Sequence, residues 1–493
     1  MLNKSLREVL NMDHRVLNGL QPERVLYYFE EICRIPHGSR NTKPISDYLV
    51  SFAGKFGLRC VQDDVNNVVI YKDGTPGYEH HPVVILQGHM DMVAEKTKES
   101  TIDFTKDPLD LRTDGEYIWA EGTTLGGDDG IAVAYALAIL EAEDIPHPPL
   151  ECVFTVDEEI GMEGAAALDP DLLQGRIFIN CDSEDEGILT VSCAGGARSD
   201  LVLPVCIDKA EGKGIHIYVD GLVGGHSGAE IHKGRANSNK VMGELLERLL
   251  KLMPYRLVYV RGGQKDNAIP RYTMAKIIVA ENRLEDALTD IDKIADELLN
   301  ALPKEEDKAK ITKEVCVCRG RAMNIASTRK VVGILNELPN GIQSWSKDIQ
   351  GLVQTSLNLG ILKTEDEMVS MSFSVRSSVN DEKTALTETL SAIAAKYGAE
   401  YSQHGDYPAW EYRKDSPLRD LMVRTFETLY GRKPVVEAIH AGLECGLFSG
   451  KLPGLDCVSF GPDMQDIHTT RERLSIASTA RTWKYLLAVL ERL

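Results

Sequence analysis

The sequence predicts an α/β protein. A domain with a mostly parallel or mixed sheet, flanked by helices, is assembled from both ends of the chain and interrupted by an inserted α+β domain of two ferredoxin-like units. Three observations predict it. Continuous apolar runs ending in polar residues, at 83–89, 151–159 and 176–182, have the pattern of strands covered on both faces. An apolar helical stretch at 130–143 separates two of them, as a parallel crossover requires. Near residue 194 the rhythm changes to strand, helix, strand, strand, helix, strand, and after about residue 400 the first style returns. The length of 493 residues agrees, since single cores stop growing near roughly 250–300 residues. The expected boundaries are 1–190 and 401–493 for the main domain and 191–400 for the insertion.

Each element follows from its own pattern. QPERVLYYFEEICRI (21–35) has helical apolar spacing and opens the main domain before the strands already named. In the insertion, 215–221 predicts a strand, 237–252 a helix, 256–263 and 272–280 strands, 283–302 a helix and 309–318 a strand. A similar order follows, with helices at 327–338 and 382–397 and strands near 350–361, 367–376 and 399–404. Two related units side by side are expected, although no matching residues prove a repeat. In the tail, 417–431 predicts a helix closed by Gly431, 435–442 and 455–461 strands, and 475–492 a last helix.

Composition excludes several classes of function. The chain is 43% hydrophobic and 26% charged, ordinary for a globular protein. No apolar run approaches the ~20 residues that cross a bilayer, and the N-terminal stretch lacks the unbroken apolar core of a secretory signal. With 55 basic and 75 acidic residues, the net charge of −20 opposes binding to nucleic acid or anionic membranes. Ten cysteines are too few for a disulfide framework, and Cys316 and Cys318 lack metal-knuckle spacing. A reduced, cytoplasmic protein is expected.

The strongest chemical signal is a set of metal-type ligands, each at or just beyond a predicted buried strand. QGHMDMV carries His89 and Asp91, two apart and so on one strand face. A carboxylate beside a ligating imidazole can hold its tautomer. GGDDG carries Asp128 and Asp129 before a helix, VDEEIGMEG carries Glu158 and Glu159, NCDSEDEG carries Asp182, and GPDMQDIHTTRE carries His468. Taken singly, each has a bland explanation as a turn residue, a cap or a surface histidine. Their convergence on one sheet changes the balance, because open α/β sheets bind ligands beyond the carboxyl ends of their strands. Nitrogen and oxygen donors without thiolate suit zinc, manganese or cobalt.

HMDMV, TTLGGDDG, DEEIGMEGA, the later GGHSG and a C-terminal histidine resemble the two-metal exopeptidases related to carboxypeptidase G and aminoacylase. HSGAEIHKGRAN, SFSVRSS and HAGLECGLF place the resemblance closest to the bacterial aminoacyl-histidine dipeptidase branch, over essentially the whole chain. The resemblance implies two divalent ions, zinc first with cobalt or manganese as alternatives, sharing a hydroxide that attacks the peptide carbonyl. Asp128 would bridge both ions, with His89 and Asp182 completing one site and Glu159 and His468 the other. Asp91 would orient His89, and Glu158 would be the general base. Asp129 is a departure, since relatives often carry asparagine there. A carboxylate at that position is expected to be hydrogen-bonded outward.

For the substrate, the resemblance points to His226 in GGHSG as a donor to the developing oxyanion, in relatives often across a homodimer. Spacing alone would make it a turn residue. Arg376 in SVRSS is a candidate clamp for a terminal carboxylate, and Asn267 in KDNAIPR resembles a substrate-contacting asparagine. Glu444 is a candidate for the substrate amino group and His440 for the pocket wall, each with a structural alternative. The expectation is a metal-dependent dipeptidase acting on small Xaa-His and related peptides. The alternatives are a tripeptidase or deacylase of the same family and a catalytically dead scaffold. An intact ligand set argues against the scaffold, and the absence of a GxSxG elbow argues against a serine hydrolase.

Overall fold

The computed structural model describes residues 15–493, so the N-terminal stretch examined for a secretory signal lies largely outside the described residues. The chain forms two compact units. One comprises the described residues up to Ser192 together with Tyr412–Ala438 and Leu443–Leu493; the other comprises Cys193–Glu411 and Ile439–Gly442.

The first unit is built on an eight-stranded mixed sheet. Its centre is parallel: Val84–His89 lies between Leu150–Thr155 and Ile177–Asn180, and Asp456–Ser459 continues beside the latter. Every residue of Val84–His89, Leu150–Thr155 and Asp456–Ser459 is buried, as strands covered on both faces must be. Antiparallel strands Arg59–Gln62 and Val68–Lys72 extend one edge. The helix Gly127–Glu141 is apolar all round and buried from Gly127 to Leu140, packed on Val84–His89 and on the helix Glu23–Cys33. The helix Pro417–Tyr430 ends where Gly431 turns left-handed (φ 67°).

A second sheet in this unit has no strong sequence signal, because its strands are two to four residues long. Leu111–Thr113, Tyr117–Ala120, Arg473–Ser475 and Met464–Gln465 pair in that order. Its outer hairpin holds the turn that carries His468.

The main sheet of the second unit is made of two ferredoxin-like halves. In the first half, Lys310–Met323, Ile207–Asp220, Thr273–Val279 and Arg256–Gly262 lie side by side. In the second, Val353–Glu365, Met368–Ser377, Gly195–Pro204 and Glu400–Tyr407 follow the same order in reverse, and the halves join where Gly262 pairs with Leu362. This corrects the expectation of consecutive units. The second half takes its first strand from Gly195–Pro204, so the first half is inserted inside the second. Helices Ser238–Leu252, Leu284–Ala301, Ile325–Glu337 and Asn380–Tyr397 cover one face through Leu245, Ile291, Leu335 and Leu390. They meet Ile217, Leu257 and Phe373 in one continuous core, where each such side chain contributes roughly 1.5–3 kcal/mol.

Candidate metal centre

Two imidazoles and a shared carboxylate define the centre in the first unit. His89 ends its strand, and its Nε2 lies 3.1 Å from Asp128 Oδ1 and 3.7 Å from Asp182 Oδ1. His468 Nε2 lies 3.0 Å from Asp128 Oδ2 and 3.0 Å from Glu159 Oε1. Asp128 thus presents one oxygen to each histidine. It stands at the start of the helix Gly127–Glu141 in a non-helical conformation (φ −82°, ψ 105°), and the Asp128–Asp129 peptide is cis. His468 is held at φ 60° in its turn. Ligand atoms of His89, Asp128 and Glu159 lie within 4.8 Å of one another, as do those of His89, Asp129 and Asp182.

The surroundings fix these groups. His89 Nδ1 donates to the Asp91 backbone carbonyl at 3.0 Å, and the Asp91 carboxylate lies 3.5 Å from the same nitrogen. The strand has already ended at His89, so a shared strand face is not what brings the pair together; the turn after the strand does. The hydrogen bond to the carbonyl puts the proton on Nδ1 and leaves Nε2 as a donor atom for a cation. Asp91 accepts from Ser39 Oγ at 2.8 Å and from the Glu158 backbone amide at 3.0 Å, which anchors the Glu158–Glu159 turn.

The electrostatics favour a cation. Burial lowers the His89 pKa, but hydrogen bonds to Asp128 and Asp91 more than offset it and hold the ring well above the usual histidine range. Asp128 and Glu159 raise His468 to about 10. Burial pushes Asp129 and Asp182 well above the carboxylate range, and burial with the neighbouring Glu444 and Glu159 charges brings Glu158 to about 8. A single N–H at His468 Nε2 serves only one of its two carboxylates, so buried Glu159 Oε1 lacks an aligned donor. Converging carboxylates that too few protons can satisfy fit divalent metal, and a nitrogen and oxygen donor set suits zinc, cobalt or manganese.

One expectation needs correction. Asp129 is not hydrogen-bonded outward; it is fully buried, and neither oxygen has a hydrogen-bond partner among the described residues. Its oxygen faces Gly88, where an added Cβ would come within 2.5 Å. Glu444 is also fully buried and accepts from Gln87 Nε2 at 2.5 Å and Thr155 Oγ1 at 2.6 Å. Both bonds fall on Oε2, which braces the two strands that end at the centre, while the buried Oε1 has no partner among the described residues.

The remaining candidates form a second cluster, within the second unit. His226 lies on a two-residue strand, Gly225–His226, paired with Ala268–Ile269 next to Asn267. Its Nδ1 accepts from the backbone amides of Gly228 (3.2 Å) and Ala229 (3.0 Å), while its own amide donates to Glu230 at 3.0 Å. The proton is therefore on Nε2, which is free to donate. Burial and the nearby Arg376 lower its pKa, so the ring is neutral. Gly228 leaves a cradle: an added Cβ would meet His440 O at 2.7 Å, His226 Cε1 at 3.0 Å and Arg376 Nε at 3.1 Å. Arg376 donates to Tyr407 OH at 3.3 Å, and its buried Nε has no partner among the described residues. Ser356, directly across the sheet from Arg376, bonds His440 Nε2 at 2.7 Å. Burial, then Arg376, lowers His440 to about 3.

Sequence reasoning missed Ser39, Glu306 and Glu472. Glu306 accepts from the amides of Val223 (2.7 Å) and Ala236 (3.0 Å), closing the loop that carries His226. Ser39 and Glu306 lie in no motif that marks them; Glu472 alone had a signal, four residues beyond His468 in HTTRE.

Comparison with known proteins places these geometries in context. Residues 85–492 match the model of peptidase family M20/M25/M40. The cytosol non-specific dipeptidase of Escherichia coli is 36% identical over 480 residues, covering 97% of this chain and 99% of that protein. The crystal structure of an aminoacylhistidine dipeptidase from Vibrio alginolyticus superposes with a TM-score of 0.93 at 35% identity, covering 98% and 99% of the two chains. An aminopeptidase from Bacillus cereus, 14% identical with a TM-score of 0.56, shares the fold over 96% of this chain and 98% of its own.

Proposed function

The chain belongs to peptidase family M20/M25/M40 and is a metal-dependent hydrolase of peptide bonds, and we propose that it is a cytoplasmic dipeptidase cleaving Xaa-His and related dipeptides. The observation that carries this reading is Asp128, whose two oxygens each face a different imidazole. Full-length similarity to one protein named an aminoacylhistidine dipeptidase and another named a cytosol non-specific dipeptidase supports it. The second name favours a broader dipeptide range as the alternative.

In this proposal Asp128 would serve both of two divalent ions, with His89 and Asp182 holding one and Glu159 and His468 the other. The donor set makes zinc the first choice, with cobalt or manganese as alternatives. When bound, such ions supply Lewis acidity toward water and the scissile carbonyl. Glu158 accepts the proton of the attacking water and delivers it to the leaving nitrogen. Asp91 holds His89 in the tautomer that keeps Nε2 available. His226 Nε2–H donates to the oxygen on which charge develops, which needs a neutral donor and no proton transfer. Arg376 and Asn267 bind the substrate carboxylate, with His440 lining the same subsite. His226, Asn267, Arg376 and His440 act as one substrate-binding cluster of the inserted unit. The inserted unit acts as a lid and carries the contacts of a homodimer; a monomer at every concentration in light scattering would remove that second role.

The test is a panel of dipeptides, β-alanyl-histidine included, with tripeptides and acylated amino acids beside it. Hydrolysis of dipeptides that stops with chelator and returns with zinc supports the proposal. Cleavage indifferent to chelator, or confined to acylated amino acids, contradicts it.

A further inference from the structure

We infer that Glu472 is a positioning residue of the metal centre, its carboxylate tying the loop that presents Asp128 to the turn that presents His468. The inference rests on Asp128 and His468 being metal ligands. The amides of Leu125 and Gly126 donate to Glu472 Oε2 at 2.7 and 3.2 Å, and that of Gly127 donates to Oε1 at 2.8 Å. Asp128 is the next residue. Three successive amides converge on one anion because Gly126 is left-handed (φ 69°, ψ 32°), the conformation of an anion-binding nest.

The other end of the clamp is equally well defined. Glu472 is 3% exposed and lies four residues beyond His468 in a turn braced by its own bonds. Thr469 Oγ1 donates to Asp466 O at 2.7 Å, and the Glu472 amide donates to Thr469 O at 3.1 Å. Asp128 and His468 both sit in irregular backbone, where no helix or strand ladder sets their separation. Glu472 supplies that constraint. Glu151 provides an internal contrast: 4% exposed, it accepts from the amides of Gln174 and Gly175 at 3.0–3.1 Å, on a turn with no candidate ligand.

The decisive variant is Glu472→Gln. Glutamine has one acceptor oxygen where the clamp uses two, and its amide N–H2 then opposes a backbone N–H. Zinc affinity is measured by competition with a chelating indicator, beside thermal unfolding of the metal-free protein and steady-state kinetics on a dipeptide. Glu472→Gln is expected to bind zinc about 10- to 100-fold more weakly and to lose kcat, with KM unchanged within about two-fold. Glu151→Gln is expected to lower the unfolding temperature and leave zinc affinity alone. If Glu472→Gln is destabilised but binds zinc like the parent, it is a structural cap and the inference is overturned. Should that variant not fold, Glu472→Asp, too short to reach all three amides, is read the same way. Asp128→Asn separates the premise from the inference: parental zinc binding in that variant removes the premise, whereas its loss beside intact binding in Glu472→Gln overturns the inference alone.

Discussion

Replacing His226 with asparagine isolates its proposed contribution to the transition state. Histidine uses Nδ1 to hold the amides of Gly228 and Ala229 at 3.2 and 3.0 Å and leaves Nε2–H to donate. Asparagine Oδ1 takes the place of Nδ1, so both amides keep an acceptor while the outer donor disappears. Stability should change by less than about 0.5 kcal/mol, since the ring is only half-buried. Loss of one oxyanion donor costs about 2.7–4 kcal/mol, or roughly 10²–10³ in kcat, with little change in KM. Glutamine makes the opposite exchange: its side-chain amide reaches toward the Nε2 position but withdraws the inner acceptor. His226→Gln should lose less than about tenfold in kcat yet up to about 1 kcal/mol of stability for each amide left without a partner. The assay is dipeptide hydrolysis under saturating zinc, with urea unfolding of both variants. An asparagine variant that keeps kcat within about threefold of the parent refutes the role.

Three further outcomes are expected. Glu158→Gln should retain its metal, fold normally and lose about 10²–10⁴ in turnover; loss of metal in that variant would mean that Glu158 and Glu159 have exchanged roles. Arg376→Ala should lose about 2–4 kcal/mol in kcat/KM on a dipeptide and treat its C-terminally amidated form alike, and compounding losses would show that Arg376 does not read the carboxylate. His440 has a folded pKa near 3 against about 6.5 unfolded, so below pH 6.5 the unfolded chain takes up a proton that the fold refuses, and stability falls as pH drops through that window. His440→Gln should shrink the difference in urea unfolding free energy between pH 7 and pH 5 by on the order of 2 kcal/mol, and an unchanged difference would contradict the buried, neutral histidine.

The main sheet was legible because its central strands are buried on both faces and their apolar runs stop at polar, chemically active ends. His89, Glu158, Glu159 and Asp182 stand just where such runs stop. His468 was legible only through its motif, since its turn is held by strands too short to leave a pattern. The nested order of the inserted unit was hidden because Gly195–Pro204 pairs with Met368–Ser377 and Glu400–Tyr407, far along the chain. Asp129 misled because the motif that contains it carries no mark of whether its side chain faces inward. Glu472 and Glu306 act by accepting backbone amides, a role any acidic residue can fill and local sequence does not announce.

Metal content of Asp128→Asn, measured beside the parent under the same loading conditions, tests the shared-carboxylate centre most directly. The parent should hold two equivalents of zinc per chain and hydrolyse a dipeptide in proportion to the metal restored after chelation. Asp128→Asn should fold, lose both equivalents and show no turnover, because its one carboxylate faces both imidazoles at 3.1 and 3.0 Å. A folded Asp128→Asn protein that holds two equivalents with parental affinity would contradict the account.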